Sequence, residues 1–392
     1  DAPLLEISNR GTTAYSNFLY RDCFSENSCY RVGISSTYQN SRLGMGTNAL
    51  DNREWNTEAR FTSIHDVSDG VKITWGFNET TRNYEQVFIE NDENEFPLGF
   101  TDFLTGGFVE GEIKFTKNLA IRPGIRSEYA SVIEQWNLAP RFAVALKTGE
   151  EAQLSGAWGL YHQTPQADYL KISNDLDFER ALHYILSYQA GNVSTRLFRA
   201  EAYYKTYHDL ITFQTGEMGL PTNLQNNGEG FAGGIDIFWR DKKSIKGFDY
   251  WITYSYVDTK RRYQNYPEKA TPYFISDHNF SVVGKYWVNK INTQVGFSYT
   301  AASGRPYNNT NSNDFMAQKT KGYSDLSFNF SHIFYIGNQY SVLYFSINNV
   351  LGNDNVISYR PTGLADAKGN YELVPVKRDL KRMVFMGLFL NF

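Results

Sequence analysis

The stretch RAEAYYKTYHDLITF (residues 199–213) alternates between two kinds of side chain. Taken with the preceding residue, one alternate set is apolar or aromatic: Phe198, Ala200, Ala202 and Tyr204. The set between them is charged or polar: Arg199, Glu201, Tyr203 and Lys205. Successive side chains of a β-strand point to opposite faces, so this period of two predicts a strand with one apolar and one polar face.

The same period recurs along the chain. It is present in SDLSFNFSHIF (324–334), INTQVGFSY (291–299) and VFMGLFLNF (384–392). These segments run to about ten residues, the length that a tilted strand needs to cross the hydrocarbon core of a bilayer. We therefore expect the Tyr204 face of the first stretch to meet lipid and its Glu201 face to line the lumen of a barrel.

The composition excludes some classes of protein. The 392 residues carry 38 basic and 42 acidic side chains, a net charge of −4, which gives no positive footprint for nucleic acid. The sequence has no run of 18 apolar residues to form a transmembrane helix, and its mean hydropathy is −0.47. Aromatic residues make up 16% of the chain, which favours many antiparallel strands.

The connections between the strand-like segments alternate between short and long over the last half of the chain. Short ones include YIGNQY and NKIN, and long ones include DTKRRYQNYPEKATPYFISDH and TFQTGEMGLPTNLQNNGEG. Outer-membrane barrels have this alternation, with short periplasmic turns and long external loops, whereas soluble sandwiches and propellers have no reason to keep it. We therefore predict an all-β fold, a transmembrane antiparallel β-barrel with roughly 17–18 strands in this chain.

The barrel is predicted to occupy residues 1–392 as one domain. The strand pattern is clear over 119–392 and less clean over 1–118. Within residues 1–118, TRNYEQVFIENDENEFPLGF (81–100) is either one long external loop or a loop that carries its own hairpin.

The two cysteines lie in RDCFSENSCYR, on either side of a short polar turn. Cys23 and Cys29 are therefore placed to face each other across a hairpin, and we predict a disulfide between them in an oxidising compartment. A zinc site is the weaker alternative, because the chain has no other cysteine and no histidine pair nearby.

No motif in the sequence specifies catalysis. It has neither H-E-x-x-H nor G-x-S-x-G, so we predict no enzyme activity, no catalytic residue, no metal site and no cofactor. Three positions at or near strand–loop borders are candidates for contact with a ligand: His162, Arg305 and Tyr307. The acidic ENDENE (90–95) is either a solvated loop or a calcium site, and TKRRY (259–263) either attracts lipopolysaccharide phosphates or contacts an anionic ligand.

Several segments, taken in chain order, resemble those of one known family. They are NLAPRFAVAL, LSGAWGLYHQTP, DLDFERALHYILSYQ, FRAEAYYKTYHDLI, NNGEGFAGGIDIF, SDHNFSVVGKY, ASGRPY and FSINNVLGNDNVISYR. They are similar to successive barrel strands of the TonB-dependent outer-membrane receptors, particularly those of Bacteroidetes-type bacteria. The resemblance covers most of 119–392.

The resemblance implies a barrel of twenty-two strands, preceded in the chain by a plug domain. Nothing in residues 1–392 looks like a plug, so we expect the chain to form the C-terminal part of such a barrel. The resemblance further implies that the TonB complex supplies energy through the plug and that the barrel assembly machinery recognises Phe392. Outer-membrane lipid, lipopolysaccharide and a surface lipoprotein are the other partners it suggests.

Three functions remain open from the sequence. The first is TonB-dependent active uptake of a scarce solute, such as a siderophore, cobalamin, a glycan or a peptide, bound by the long external loops. The second is a passive porin-like channel, and the third is an outer-membrane enzyme. The sequence does not specify the substrate, because external loops tolerate change freely.

Overall fold

The computed structural model describes residues 7–91, 93–216, 219–378 and 380–391. Seventeen strands form one antiparallel sheet, and each pairs with the next sheet strand along the chain. This up-and-down order confirms the predicted fold class and the strand number.

The strands of the sheet are β1 (Ile7–Ser25), β2 (Ser28–Met45), β3 (Asn48–Ser68), β4 (Val71–Glu90), β5 (Asn94–Lys114), β6 (Leu119–Ala130), β7 (Gln135–Gly149), β8 (Ala152–Gln163), β9 (Glu179–Asn192), β10 (Arg196–Thr215), β11 (Pro221–Asp241), β12 (Phe248–Arg262), β13 (His278–Val288), β14 (Thr293–Ala302), β17 (Tyr323–Ile336), β18 (Gln339–Asn348) and β21 (Met383–Leu390). Two external loops carry the short pairs β15 (Pro306–Tyr307) with β16 (Gln318–Lys319), and β19 (Val356–Ala365) with β20 (Tyr371–Lys377). A short helix, α1 (Ala167–Leu170), lies between β8 and β9. Among the described residues, no helix has the length and apolar character needed to cross a membrane.

The strand register separates an apolar face from a polar one. On the apolar face, Phe328 of β17 lies opposite Phe297 of β14 and Ile347 of β18. On the polar face, Glu201 of β10 lies opposite Asp236 of β11. Because paired residues point to the same side of a sheet, the alternation in the sequence becomes two continuous surfaces. The apolar surface suits lipid, and the polar surface suits a water-filled or protein-filled lumen.

Several strands are much longer than a bilayer requires. Strands β2–β5, β10 and β11 have 18 to 21 residues, whereas about ten cross the hydrocarbon core. At about 3.3 Å per residue, the excess extends these hairpins roughly 30 Å along the strands. In the orientation that the loop lengths of the last half of the chain predict, the connections at 26–27, 150–151 and 337–338 are periplasmic, so the extensions lie on the external side.

This extension corrects two predictions. The prediction of a long loop over TFQTGEMGLPTNLQNNGEG (212–230) is wrong, because β10 continues to Thr215 and β11 begins at Pro221. Residues 81–90 and 94–100 are continuations of the barrel strands β4 and β5, so neither a long loop nor a separate hairpin describes them. Outside the bilayer both faces of a strand meet water, so the alternation that marks a membrane strand is not required there.

The sheet has two edges within the described residues. There β1 pairs with β2 alone, β21 pairs with β18 alone, and no ladder joins β1 to β21. Every residue of β1 is exposed to solvent. The assembly signal predicted at Phe392 lies outside the described residues.

The hairpin β1–β2 is closed at its periplasmic end by a disulfide between Cys23 and Cys29, which lie directly opposite each other. We expect replacement of both cysteines by serine to lower the stability of this hairpin by about 2 kcal/mol, because the bond closes only a short loop in the unfolded chain. Since β1 has one neighbouring strand, the loss should appear as local fraying. Amide hydrogen exchange over residues 7–45 should become roughly thirtyfold faster. Unchanged exchange there would contradict the expectation, and the hairpin β13–β14 serves as the internal control.

Candidate functional site

Residues 164–178, which connect β8 to β9, fold toward the lumen at its external mouth; we call this segment the inward loop. Pro165 is fully buried, and two consecutive residues of α1, Tyr169 and Leu170, are buried as well. Burial raises the pKa of the Tyr169 phenol, which therefore stays neutral. An external loop with this much buried apolar surface is fixed against the barrel wall.

The inward loop belongs to an apolar cluster that includes distant strands. The buried members of this cluster are Ala130, Ile133, Tyr169, Leu170, Leu176, Phe178 and Ile211. Phe100 and Leu104 of β5 pack against it, as does Phe213 of β10. Full burial of a side chain of this size contributes about 1.5–3 kcal/mol. The cluster thus joins β5 and β10, which are five strands apart in the sheet.

A polar contact joins the inward loop to a distant strand of the sheet. Lys171 Nζ donates to Gln86 Oε1 of β4 at 2.8 Å and to Asp168 Oδ1 at 2.7 Å. Along the wall, β4 and β8 are four strand spacings apart, or roughly 19 Å at about 4.8 Å per spacing. The loop itself covers that distance, since Lys171 lies eight residues beyond the end of β8. The contact therefore joins the inward loop to β4, a strand that is not its neighbour in the sheet.

The C-terminal end of the inward loop is held by an asparagine of β11. Asn226 Oδ1 accepts from the Asp177 backbone N–H at 2.9 Å. Its Nδ2 donates to the carbonyl oxygens of Asp177 and Asp209, both at 2.9 Å. Because one side chain joins three backbone groups, it fixes the point at which the loop enters β9.

Two arginines, one on β4 and one on β12, stack on aromatic rings of nearby strands. The Arg82 guanidinium carbon is 4.7 Å from the centre of the Phe100 ring, and that of Arg261 is 4.1 Å from the centre of the Tyr207 ring. Within the part of the chain that the structure describes, Arg82 Nε and Nη2 and Arg261 Nε are buried without a hydrogen-bond partner. These N–H groups therefore have hydrogen-bonding capacity that the described residues leave unused.

His162, a predicted ligand contact, lies beside the inward loop. It is at the external end of β8, opposite Arg180 of β9, and its ring centre is 6.0 Å from that of Phe178 in an edge-to-face arrangement. Its Nδ1 is buried and has no hydrogen-bond partner among residues 7–91, 93–216, 219–378 and 380–391. Contact with a ligand at His162 stays a prediction.

Arg305 and Tyr307, the other two candidates, lie in the loop between β14 and β17. The Arg305 backbone N–H donates to Thr320 Oγ1 at 3.0 Å. Tyr307 is buried, donates its hydroxyl to Gln318 Oε1 at 2.8 Å, and packs on Tyr359 with ring centres 4.8 Å apart. Tyr307 therefore connects two external loops, and a ligand role for either residue stays a prediction.

Sequence reasoning missed the residues that build this mouth. The candidates did not include Lys171 or Arg82, and Arg261 was indicated only as part of TKRRY (259–263). One signal was present: the inward loop carries Tyr169, Leu170, Leu176 and Phe178 without any period, in a segment that was expected to face water. Among the described residues, no group of three His, Cys, Asp or Glu side chains is placed to hold a metal ion.

Comparison with protein families gives one match. Residues 5–350 match the family described as TonB dependent receptor-like, beta-barrel. A search among curated proteins gives no match.

Solved structures share the fold at low sequence identity. The ferric-catecholate import receptor Fiu from E. coli K12 is 9% identical with a TM-score of 0.70, over 98% of this chain and 64% of that one. The FrpB iron transporter from Neisseria meningitidis is 12% identical with a TM-score of 0.74, over 97% and 63%. BauA, the ferric preacinetobactin receptor from Acinetobacter baumannii, is 14% identical with a TM-score of 0.71, over 99% and 64%. The chain thus spans less than two thirds of the length of these three proteins.

Proposed function

We propose that this chain, which belongs to the family of TonB-dependent receptor β-barrels, forms the wall of an outer-membrane receptor that takes up a scarce solute actively. The solute would bind at the external mouth and pass inward along the polar face. The inward loop is the observation that supports the proposal, because its buried apolar side chains dock it against the barrel wall at the external mouth, near Arg82, which stacks on Phe100 of the same cluster. A docked loop at the mouth suits a receptor that binds before it releases, and a permanently open pore does not need one.

We also infer that residues 1–392 are part of a larger barrel that surrounds a plug domain. The two unjoined sheet edges, β1 and β21, support this inference, because exposed backbone donors and acceptors in a membrane require partners. The polar face would contact the plug, and the TonB complex would act through the plug. Recognition of Phe392 by the assembly machinery, contact with lipopolysaccharide and a surface lipoprotein remain proposals of the same kind.

The class of solute is left open by this proposal. Fiu, FrpB and BauA are named for ferric chelates or iron, and these names favour a chelated metal among the possible solutes. The named proteins are receptors and transporters, and we propose no enzyme activity for this chain. The positive charge of Arg82 and Arg261 suits a ligand with anionic or carbonyl oxygens.

The proposed function is tested in cells by crosslinking to TonB. The native protein, tagged in an external loop, is treated with formaldehyde and probed for TonB after purification from outer membranes. We expect a crosslinked complex, and a denatured mass for the native protein well above 45.0 kDa. A native mass of 45.0 kDa without a TonB crosslink would contradict active uptake, and a passive channel would then be the better account.

A further inference from the structure

A recess of about 510 Å³ lies on the apolar, bilayer-facing side of β14, β17 and β18; we call it the apolar groove. Thr293 lies at its base, since this residue is only 7% exposed. Its sides are formed by Val295, Phe328, Phe330, Leu343 and Phe345. Pockets that bind small molecules usually measure about 300–1,000 Å³, so the groove has the size of a binding site.

The strand register explains why the groove forms. Thr293 of β14 lies opposite His332 of β17. Two residues further toward the external side, Val295 lies opposite Phe330, which in turn lies opposite Phe345 of β18. The rings of Phe330 and Phe345 stack with their centres 5.2 Å apart. Small side chains on β14 thus lie beside large rings on β17 and β18, and this difference in size leaves the space.

The groove has the length and the position of one lipid chain. It follows β17 from His332 to Phe328, which is roughly 13 Å for four residues at about 3.3 Å each. Half of a bilayer's hydrocarbon core is about 15 Å thick. Strand β17 ends at Ile336, beside the periplasmic connection at 337–338, so the groove lies in the periplasmic leaflet.

Polar groups lie at the periplasmic end of the groove. The Thr293 hydroxyl donates to the carbonyl oxygen of Ile291 at 2.8 Å and lies 2.9 Å from His332 Nδ1. A hydroxyl has one hydrogen to give, so the His332 Nδ1–H donates to Thr293. Among the described residues, the other ring nitrogen of His332 has no hydrogen-bond partner.

A second histidine on the same face shows that this free nitrogen is not general. His65, near the periplasmic end of β3, contacts Ser28 through Nδ1 at 3.0 Å and Ser63 through Nε2 at 2.8 Å. Both of its ring nitrogens are satisfied within the protein, whereas His332 keeps one for another molecule.

Lys290 adds a positive charge at the same end. It lies in the turn Asn289–Ile291 that joins β13 to β14, is exposed, and precedes Ile291, which lines the groove. Lysine at a bilayer surface is attracted to anionic lipids, and its ammonium group donates to phosphate oxygens. The residues that line the groove are all described and include no carboxylate to oppose this attraction.

We propose that the apolar groove holds one phospholipid of the periplasmic leaflet. One acyl chain packs against Val295, Phe330 and Phe345, and the phosphate lies near Lys290 and His332. The bilayer is equally apolar everywhere, so burial alone would not retain the lipid. Close packing of the chain in the groove and polar contacts of the headgroup retain it. The proposal does not depend on active uptake or on the solute.

The test uses the native protein, purified from outer membranes and stripped of lipid by detergent exchange. It is titrated with dioleoyl-phosphatidylglycerol, and native mass spectrometry counts the bound lipids. Val295→Trp fills the groove and keeps the face apolar. Its matched control is Leu146→Trp, on the same face near another periplasmic turn and outside the groove; Leu146 is 41% exposed and Val295 is 44% exposed. Retained heat-modifiable migration shows that each variant is folded.

The headgroup contact is tested by Lys290→Gln, with Lys246→Gln in the neighbouring periplasmic turn as its control. We expect one retained lipid, bound roughly tenfold more weakly by Val295→Trp and about fivefold more weakly by Lys290→Gln. Both controls should bind it as the unmodified protein does.

Equal binding by Val295→Trp and Leu146→Trp would show that lipids cover the apolar face without a specific site, and it would overturn the proposal. Unchanged binding by Lys290→Gln would overturn the position of the phosphate. A protein dimer that Val295→Trp separates would assign the groove to a second copy of this chain instead. The TonB crosslink should persist in Val295→Trp, so this inference and the uptake function fail separately.

Discussion

Replacement of Leu170 by aspartate should release the inward loop and make residues 164–178 at least a hundredfold more sensitive to an external protease. Leu170 is 4% exposed within the apolar cluster, where a carboxylate would lose its hydration and gain no partner. Burial of this unpaired carboxylate would cost at least about 3 kcal/mol of free energy. The loop therefore leaves the cluster, which returns the carboxylate to water. The barrel strands keep their ladders, so the effect is confined to the mouth.

The measurement is limited proteolysis of intact cells with proteinase K, followed by mass spectrometry of the fragments. Ile172→Asp is the matched control, because Ile172 lies two residues further along the same loop and is 37% exposed. We expect the control to be cut at the rate of the unmodified protein. Equal cutting of Leu170→Asp and Ile172→Asp would show that the cluster does not hold the loop in place.

Replacement of Asp241 by alanine should lower the free energy of unfolding of the barrel by about 4 kcal/mol. Asp241 ends β11 and is 2% exposed. It accepts hydrogen bonds from the backbone of Lys243 at 2.7 Å and of Ser244 at 2.8 Å, from Ser244 Oγ at 2.5 Å, and from Arg196 Nε at 3.0 Å. Alanine leaves these donors without an acceptor at the start of a periplasmic turn.

Urea unfolding in detergent, followed by heat-modifiable migration, measures this loss. Asp241→Asn keeps one acceptor oxygen for the turn, so it should lower the free energy of unfolding clearly less than Asp241→Ala does. Lys246→Ala, an exposed change in the same turn, should leave the midpoint unchanged. If Asp241→Ala unfolds at the same urea concentration as Lys246→Ala, the carboxylate does not stabilise the turn.

The membrane-crossing part of the fold was readable from the sequence. Two solvents act on such a strand, lipid on one face and the lumen on the other, so its residues must alternate. The alternating positions of Leu326, Phe328 and Phe330 therefore predicted that they share the apolar face of one strand. The register of that strand with β14 and β18 confirmed this prediction. The positions of the short turns over the last half of the chain were also predicted from the sequence, because short turns join pairs of membrane strands on the periplasmic side.

The parts outside the bilayer were decided by tertiary structure. The extension of β10 and β11 was mistaken for a loop, since both faces there meet water or protein and the period of two is lost. Bulges also break the pattern: Asp209 and Asn223 have φ of 56° and 53°, and the β10–β11 register shifts near them. Strands β2–β5 were harder to read for the same reason.

The mouth of the barrel depends on contacts between residues far apart in the sequence. Lys171 contacts Gln86, 85 positions away, and Leu170 packs in the same cluster as Ile211. The sequence by itself supplied the apolar side chains of the inward loop, but no local period indicates which strands will receive them. Contacts with β4, β5 and β10 hold the inward loop at the mouth, and only the tertiary structure brings these strands to its apolar side chains.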